Sequence, residues 1–187
     1  MRATVGLLAG TRPECLKLIS LQRALAGRPG VRPWLISSGQ HPMMVRRTLA
    51  QWGLRPDLEL PAPRAPISLS GTVRCLRDQT RAALRQSSVN MLVVQGDTST
   101  AYAGALAARA EGVVLIHVEA GLRTADPMRP FPEELFRRRI GPLADWHYAP
   151  TESAASNLRA EGADRVYIGE NELADAMVGE IRMRMAG

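Results

Sequence analysis

The sequence holds one lysine. Of its 24 basic residues, 23 are arginine and the other is Lys17. Cysteine is nearly as scarce. Cys15 and Cys75 cannot make a disulfide-stapled framework, and both fall in helical patterns where buried thiols are expected. No apolar run approaches the roughly 20 residues that span a bilayer. The first residues read as a buried strand and lack the charged start, long apolar region and small-residue cleavage site of a signal peptide. A cytoplasmic protein without a membrane partner is therefore expected. The three histidines, His41, His117 and His147, are far apart and lack ligand spacing, so no metal site is expected. Net charge is +6, which brings nucleic acid into consideration. But aromatics are only 4% of the chain, the arginines are scattered, and no aromatic-studded strand accompanies them. An anionic small molecule explains the positive balance as well as a polymer does, and nucleic acid is not expected.

What is present reads as roughly one domain: 187 residues, 45% apolar and 22% charged. Short apolar segments alternate with helical patterns. The expected strands are Ala3–Leu8, Arg32–Ser37, Met91–Gln95, Val113–Val118, Trp146–Ala149 and Val166–Ile168. The expected helices are Glu14–Ala26, Pro42–Trp52, Leu69–Gln86, Thr98–Glu111, Glu133–Ile140, Thr151–Glu161 and Asn171–Met185. Central strands apolar on both faces belong in a parallel sheet covered by helices, so the fold class is α/β, a doubly wound, Rossmann-like parallel sheet. Residues 1–170 are read as that domain and residues 171–187 as a C-terminal helix. Thr98 and Thr151 suit helix N-caps, and Gly141-Pro142 should end or kink the preceding helix. The small residues from Thr100 to Ala108 allow close approach to the sheet. Pro56–Pro66, with four prolines, reads as a surface loop, and Arg137-Arg138-Arg139 as a mostly solvated face.

Segments that can carry chemistry fall where strands turn into helices. They are Gly10–Lys17, Ser38-Gly39-Gln40-His41, Gly96-Asp97-Thr98 and Glu119–Thr124, with Pro130–Glu134 opening a helix. In a parallel sheet the C-terminal ends of all strands share one edge. Asp97, Glu119 and Glu133 should therefore converge near Arg12, Lys17 and Arg123. Carboxylates held close cannot all ionise freely, which supplies an acid and a base at one site. Arg12 offers a planar fork and Lys17 a point charge, a pair suited to phosphate. Alternatives stand beside each role: Asp97 also suits a turn or cap, Glu133 a favourable charge in a first helical turn, and His41 an exposed loop. His117 reads as a satisfied core histidine.

These residues resemble the non-hydrolysing UDP-N-acetylglucosamine 2-epimerases. The resemblance runs through Gly10-Thr11-Arg12-Pro13-Glu14 with Lys17, Ser38-Gly39-Gln40-His41, Gly96-Asp97-Thr98 and His117–Thr124. It continues through Pro132-Glu133-Glu134 with Arg137, then Ala144-Asp145, Ala149–Glu152 and Asn157-Leu158, in the family's order and spacing. It implies the N-terminal half of a glycosyltransferase-B-type fold, with a sugar nucleotide in the cleft between two Rossmann-like domains. It implies inversion at C2 of UDP-N-acetylglucosamine: UDP is eliminated as the C2 proton leaves, 2-acetamidoglucal forms, and UDP adds back with protonation from the other face. No cofactor is implied. By motif position the acid/base carboxylates are Asp97, Glu119 and Glu133. The substrate-binding residues are Arg12, Lys17, Gln40, His41 and Arg123, with Arg137 at a further basic position.

The sequence departs from the family at Gln95, where His is common, at Phe136, where Asn is usual, and at Gly169-Glu170-Asn171-Glu172, where a Thr-Gly-Asn-Thr hinge is typical. The family's second domain, which contributes most uridine and diphosphate contacts, has no counterpart in these residues. The reading is a sugar-nucleotide 2-epimerase half-site that works with a complementary domain or subunit, or as a homo-oligomer, and is a poor enzyme alone. A non-catalytic binding or regulatory relative is the alternative.

Overall fold

The computed structural model describes residues 3–64 and 68–186. Seven parallel strands are ordered β3-β2-β1-β4-β5-β6-β7, the doubly wound sheet expected from the alternating pattern. The strands are β1 (Ala3–Ala9), β2 (Val31–Ser37), β3 (Leu58–Glu59), β4 (Val89–Gln95), β5 (Val114–Val118), β6 (Trp146–Tyr148) and β7 (Val166–Tyr167). Seven α-helices follow them: α1 (Arg12–Ala26), α2 (Pro42–Ala50), α3 (Leu69–Arg85), α4 (Ser99–Glu111), α5 (Glu133–Ile140), α6 (Glu152–Ala160) and α7 (Glu170–Ala186).

Alternation along the central strands sends side chains into two cores. Val5, Leu7 and Ala9 of β1 join Cys15, Leu18 and Leu25 of α1 on one face, together with Leu173, Met177 and Ile181 of α7. Leu8, on the other face, joins Leu76 of α3, Phe136 of α5 and the alanines of α4. The small-residue run on α4 does bring the helix close. A Cβ on Gly104 would lie 2.6 Å from Leu8 Cδ2 and 2.8 Å from Val94 Cγ1. Thr98 and Thr151 cap α4 and α6 as expected, accepting from Ala101 N–H and Ala154 N–H. Gly141-Pro142 ends α5, and the chain continues as one 3₁₀ turn over Gly141–Leu143.

Three expectations are corrected. The proline-rich segment is not all loop: Leu58–Glu59 adds an edge strand beside Ile36 and Ser37. Two residues are too few for a period-2 pattern to register. Pro66 lies outside the described residues. Cys75 is only half-buried, whereas Cys15 is buried; burial and the neighbouring Glu14 charge push the Cys15 thiol up to about 12. Arg137 and Arg138 are not a solvated face, because both turn onto the buried carboxylate of Glu134. Among the described residues no helix is long and apolar enough to cross a membrane.

Candidate active site

The strand order reverses between β1 and β4, and such switch points open a crevice outside the strand C-termini. Register sets those ends level: Ala9 lies opposite Ser37, Gln95 opposite Val118, and Val118 opposite Tyr148. At the crevice, Gly10 leaves no room for a side chain. A Cβ there would sit 2.0 Å from Thr100 Oγ1 and 2.4 Å from Ser38 Oγ. Those two hydroxyls are 2.8 Å apart, and Thr100 Oγ1 donates to Gln40 Oε1 at 2.7 Å. Glu14 lies beneath, fully buried. Its Oε2 accepts from Gly10 N–H at 2.8 Å, Thr11 N–H at 2.6 Å and the Thr11 hydroxyl at 2.9 Å. Its Oε1 accepts from the Thr98 hydroxyl at 2.5 Å. One carboxylate thus ties the turn before α1 to the turn before α4. Burial raises its pKa, and the four hydrogen bonds oppose that shift.

Above this scaffold stand the candidate acid/base groups. Asp97 forms an ion pair with Arg137. Arg137 is held in turn by Glu134, Nη1 donating to Oε2 at 3.1 Å. Glu119 pairs with Lys17 at 2.5 Å and accepts from the side-chain amide of Gln95. Asp97 is pushed above the usual carboxylate range, chiefly by burial. Arg137 opposes the shift, and the charges of Glu119 and Glu133 add to it. Glu119 and Glu133 are therefore each within electrostatic reach of Asp97, as the strand-end argument expects. Glu119 has φ 62°, a left-handed conformation uncommon outside glycine, and such strain collects at functional sites. His117 is held neutral, its pKa pushed down to about 3 by burial. Its Nε2–H donates to Gly96 O at 2.7 Å, but Nδ1 is buried without a partner. It is therefore only half satisfied, which corrects the expectation.

Not all expected binding residues gather at the carboxylates. Lys17 does. Arg12, Gln40 and His41 instead line an adjoining cleft of about 580 Å³ with Met43, Met44 and Arg47. Arg123 points elsewhere. Its Nε and Nη2 donate to Glu161, at the end of α6, at 2.8 and 2.5 Å. Arg137 takes the position at Asp97 that convergence suggested for Arg123. Sequence reasoning gave no role to Glu14, Thr100 or Glu134. The Thr11-x-x-Glu14 spacing of a helix cap was a readable signal for the first. Thr100 was hidden in the small-residue run, and nothing separates Glu134 from its neighbour Glu133. Among the described residues no group of three or more His, Cys, Asp or Glu could hold a metal ion.

A doubly wound domain with clustered carboxylates and cations at its switch point has the groups that acid/base chemistry on an anionic ligand requires. The chain belongs to the UDP-N-acetylglucosamine 2-epimerase family, whose profile matches residues 23–184. A UDP-N-acetylglucosamine 2-epimerase of Bacillus subtilis is 34% identical over 175 residues, which are 92% of this chain and 46% of that protein. A crystal structure of a UDP-N-acetylglucosamine 2-epimerase superposes with a TM-score of 0.86 at 32% identity, over 90% of this chain and 48% of that one. The enzyme from Neisseria meningitidis, solved bound to UDP-GlcNAc, superposes with a TM-score of 0.84 at 30% identity, over 88% of this chain and 45% of that one. The chain spans about half the length of the relatives it matches.

Proposed function

We propose that this chain is the acid/base half of a UDP-N-acetylglucosamine 2-epimerase, acting in the cytoplasm with a complementary domain or subunit, or with a second copy of itself. The observation that carries the reading is the cluster of Asp97, Glu119 and Glu133 at one sheet edge, in electrostatic contact and countered by Arg137 and Lys17. Inversion at C2 needs a base on one face of the sugar and an acid on the other. Asp97, raised by burial and by the neighbouring carboxylate charges, is the group suited to hold the acid's proton. Lys17 and Arg137, the cations beside these carboxylates, are suited to hold a diphosphate leaving group. Arg12, Gln40 and His41 extend the site along the adjoining cleft. The cleft lies open to one side, and a second wall would exclude water and grip the nucleotide.

The test is epimerisation of UDP-N-acetylglucosamine by the purified chain, alone and with the remaining half of a family member supplied as a separate polypeptide, with mass in solution followed by light scattering. Negligible turnover alone and turnover on mixing support the half-site. Robust turnover by a monomer contradicts it, and turnover by a homodimer makes the second copy the missing wall. Saturable binding without turnover under every condition favours the non-catalytic alternative.

A further inference from the structure

Two of the carboxylates at the sheet edge are paired with cations, Asp97 with Arg137 and Glu119 with Lys17. Asp97 faces Arg137 and Glu133 from α5, Glu119 from the end of β5, and, one residue further out, Lys17 of α1 and Glu134 of α5. Glu14 reaches its turn through Thr98, and His117 through the Gly96 carbonyl. Of all these groups, Arg137 is the cation in direct contact with Asp97. Burial and the two neighbouring carboxylates all favour the protonated acid; Arg137, with a backbone hydrogen bond, opposes them. Arg137 is partly open to solvent and already shared with the fully buried Glu134. Its fork can therefore turn to an incoming diphosphate while Glu134 keeps it anchored.

We infer that an anionic ligand that engages Arg137 moves Asp97 from its ionised to its protonated form, so that ligand binding itself loads the site's acid. The inference rests on the proposed sugar-nucleotide site and deepens it. The proton comes from the buffer and is bound by an Asp97 carboxylate oxygen; no other bond forms or breaks. Arg137 is then a positioning residue that sets the protonation state of Asp97. Loading occurs only when substrate is present, and the acid is ready to deliver its proton to one face of the sugar while an ionised carboxylate serves the other.

Linkage makes this measurable without turnover. UDP-N-acetylglucosamine carries no group that titrates near neutral pH, so any proton taken up on its binding belongs to the protein. Its heat of binding to the chain mixed with its complementary half is measured by calorimetry near neutral pH in two buffers of different ionisation enthalpy. Net uptake approaching about one proton per ligand is expected. Uptake should vanish in Asp97→Asn, which has no proton to gain. It should also shrink in Arg137→Gln, which lacks the cation that the ligand would draw from Asp97. Saturable binding with equal heats in both buffers overturns the inference and leaves the proposed function standing. Uptake that persists in Asp97→Asn assigns the proton elsewhere and also overturns it. Absence of saturable binding overturns the inference together with the site it rests on. The wild-type titration decides the matter even where a variant does not fold.

Discussion

Glu14 and Glu119 are both glutamates at the C-terminal edge of the sheet, and their surroundings are opposite. Glu14 is fully buried, has no cationic partner among the described residues, and is held by four donors from fixed turns. Glu119 is partly open, strained at φ 62°, and held by Lys17, itself about half exposed. Donors on backbone and short hydroxyls cannot follow a carboxylate, whereas a lysine or arginine head on a long side chain can leave one for a ligand. On the proposed reading the lower layer fixes geometry, and the upper layer exchanges partners. Substitution in the lower layer should cost stability, and substitution in the upper layer should cost chemistry.

The largest effect that would sharpen this division is in the upper layer. Asp97→Asn, Glu119→Gln and Glu133→Gln should each lower turnover of the reconstituted enzyme by about 10²–10⁴-fold, the usual contribution of a positioned proton-transfer group. Their melting temperatures should stay close to that of the parent chain. A variant that loses both fold and turnover would place its carboxylate in the lower layer.

Glu14→Ala should do the reverse. It leaves the Gly10 and Thr11 amides and the Thr98 hydroxyl unpaired in a buried turn, at a cost of about 2–4 kcal/mol. Chemical denaturation of the isolated chain measures it, and an unchanged midpoint would break the comparison.

A smaller effect concerns pH. Burial pushes His117 down to about 3 and His147 down to about 4, from an ordinary 6.5. Between those values the unfolded chain binds protons that the folded chain refuses, so their contribution to stability is complete above about pH 6.5 and is lost as pH falls toward 4. Asp97 and Glu14 are shifted the other way, upward, chiefly by burial. Their contribution is complete below the ordinary carboxylate range and is lost as pH rises through their folded values, so it grows as pH falls and partly offsets the histidines' loss. Relative to the parent chain, the melting temperature of His147→Gln should therefore be less sensitive to acid between neutrality and pH 4. An equally steep profile in that variant would assign the acid sensitivity elsewhere.

The smallest expected change is at Lys17. Lys17→Met removes one exposed charge, so the fold should be unaffected. Affinity for UDP, read by calorimetry, should fall about tenfold, as for one lost charge-assisted contact. Unchanged affinity would leave Lys17 as a partner of Glu119 alone.

The strand-end positions of Asp97 and Glu119 were legible in the sequence because alternating apolar segments and helical patterns identify a parallel sheet, and a parallel sheet aligns its strand ends. The same logic could not choose between Arg123 and Arg137 as the cation at Asp97. Arg123 lies nearer the candidate strand end, but Glu161, 38 residues away, draws its guanidinium off. Long-range pairing of this kind leaves no local pattern. Arg137 was hidden because three consecutive arginines read as a solvated face, and only the buried Glu134 reveals otherwise. The edge strand Leu58–Glu59 was hidden because it takes its conformation from pairing with β2 and carries too few residues for a pattern of its own.

The central claim is that the upper layer moves a proton at C2 of the sugar once the cleft is closed. The most direct measurement is deuterium incorporation at C2 of UDP-N-acetylglucosamine in heavy water, followed by proton NMR, for the chain mixed with its complementary half. The account expects exchange on mixing, little exchange by the chain alone, and loss of exchange in Asp97→Asn, Glu119→Gln and Glu133→Gln. Exchange at the parent rate in all three variants would contradict it.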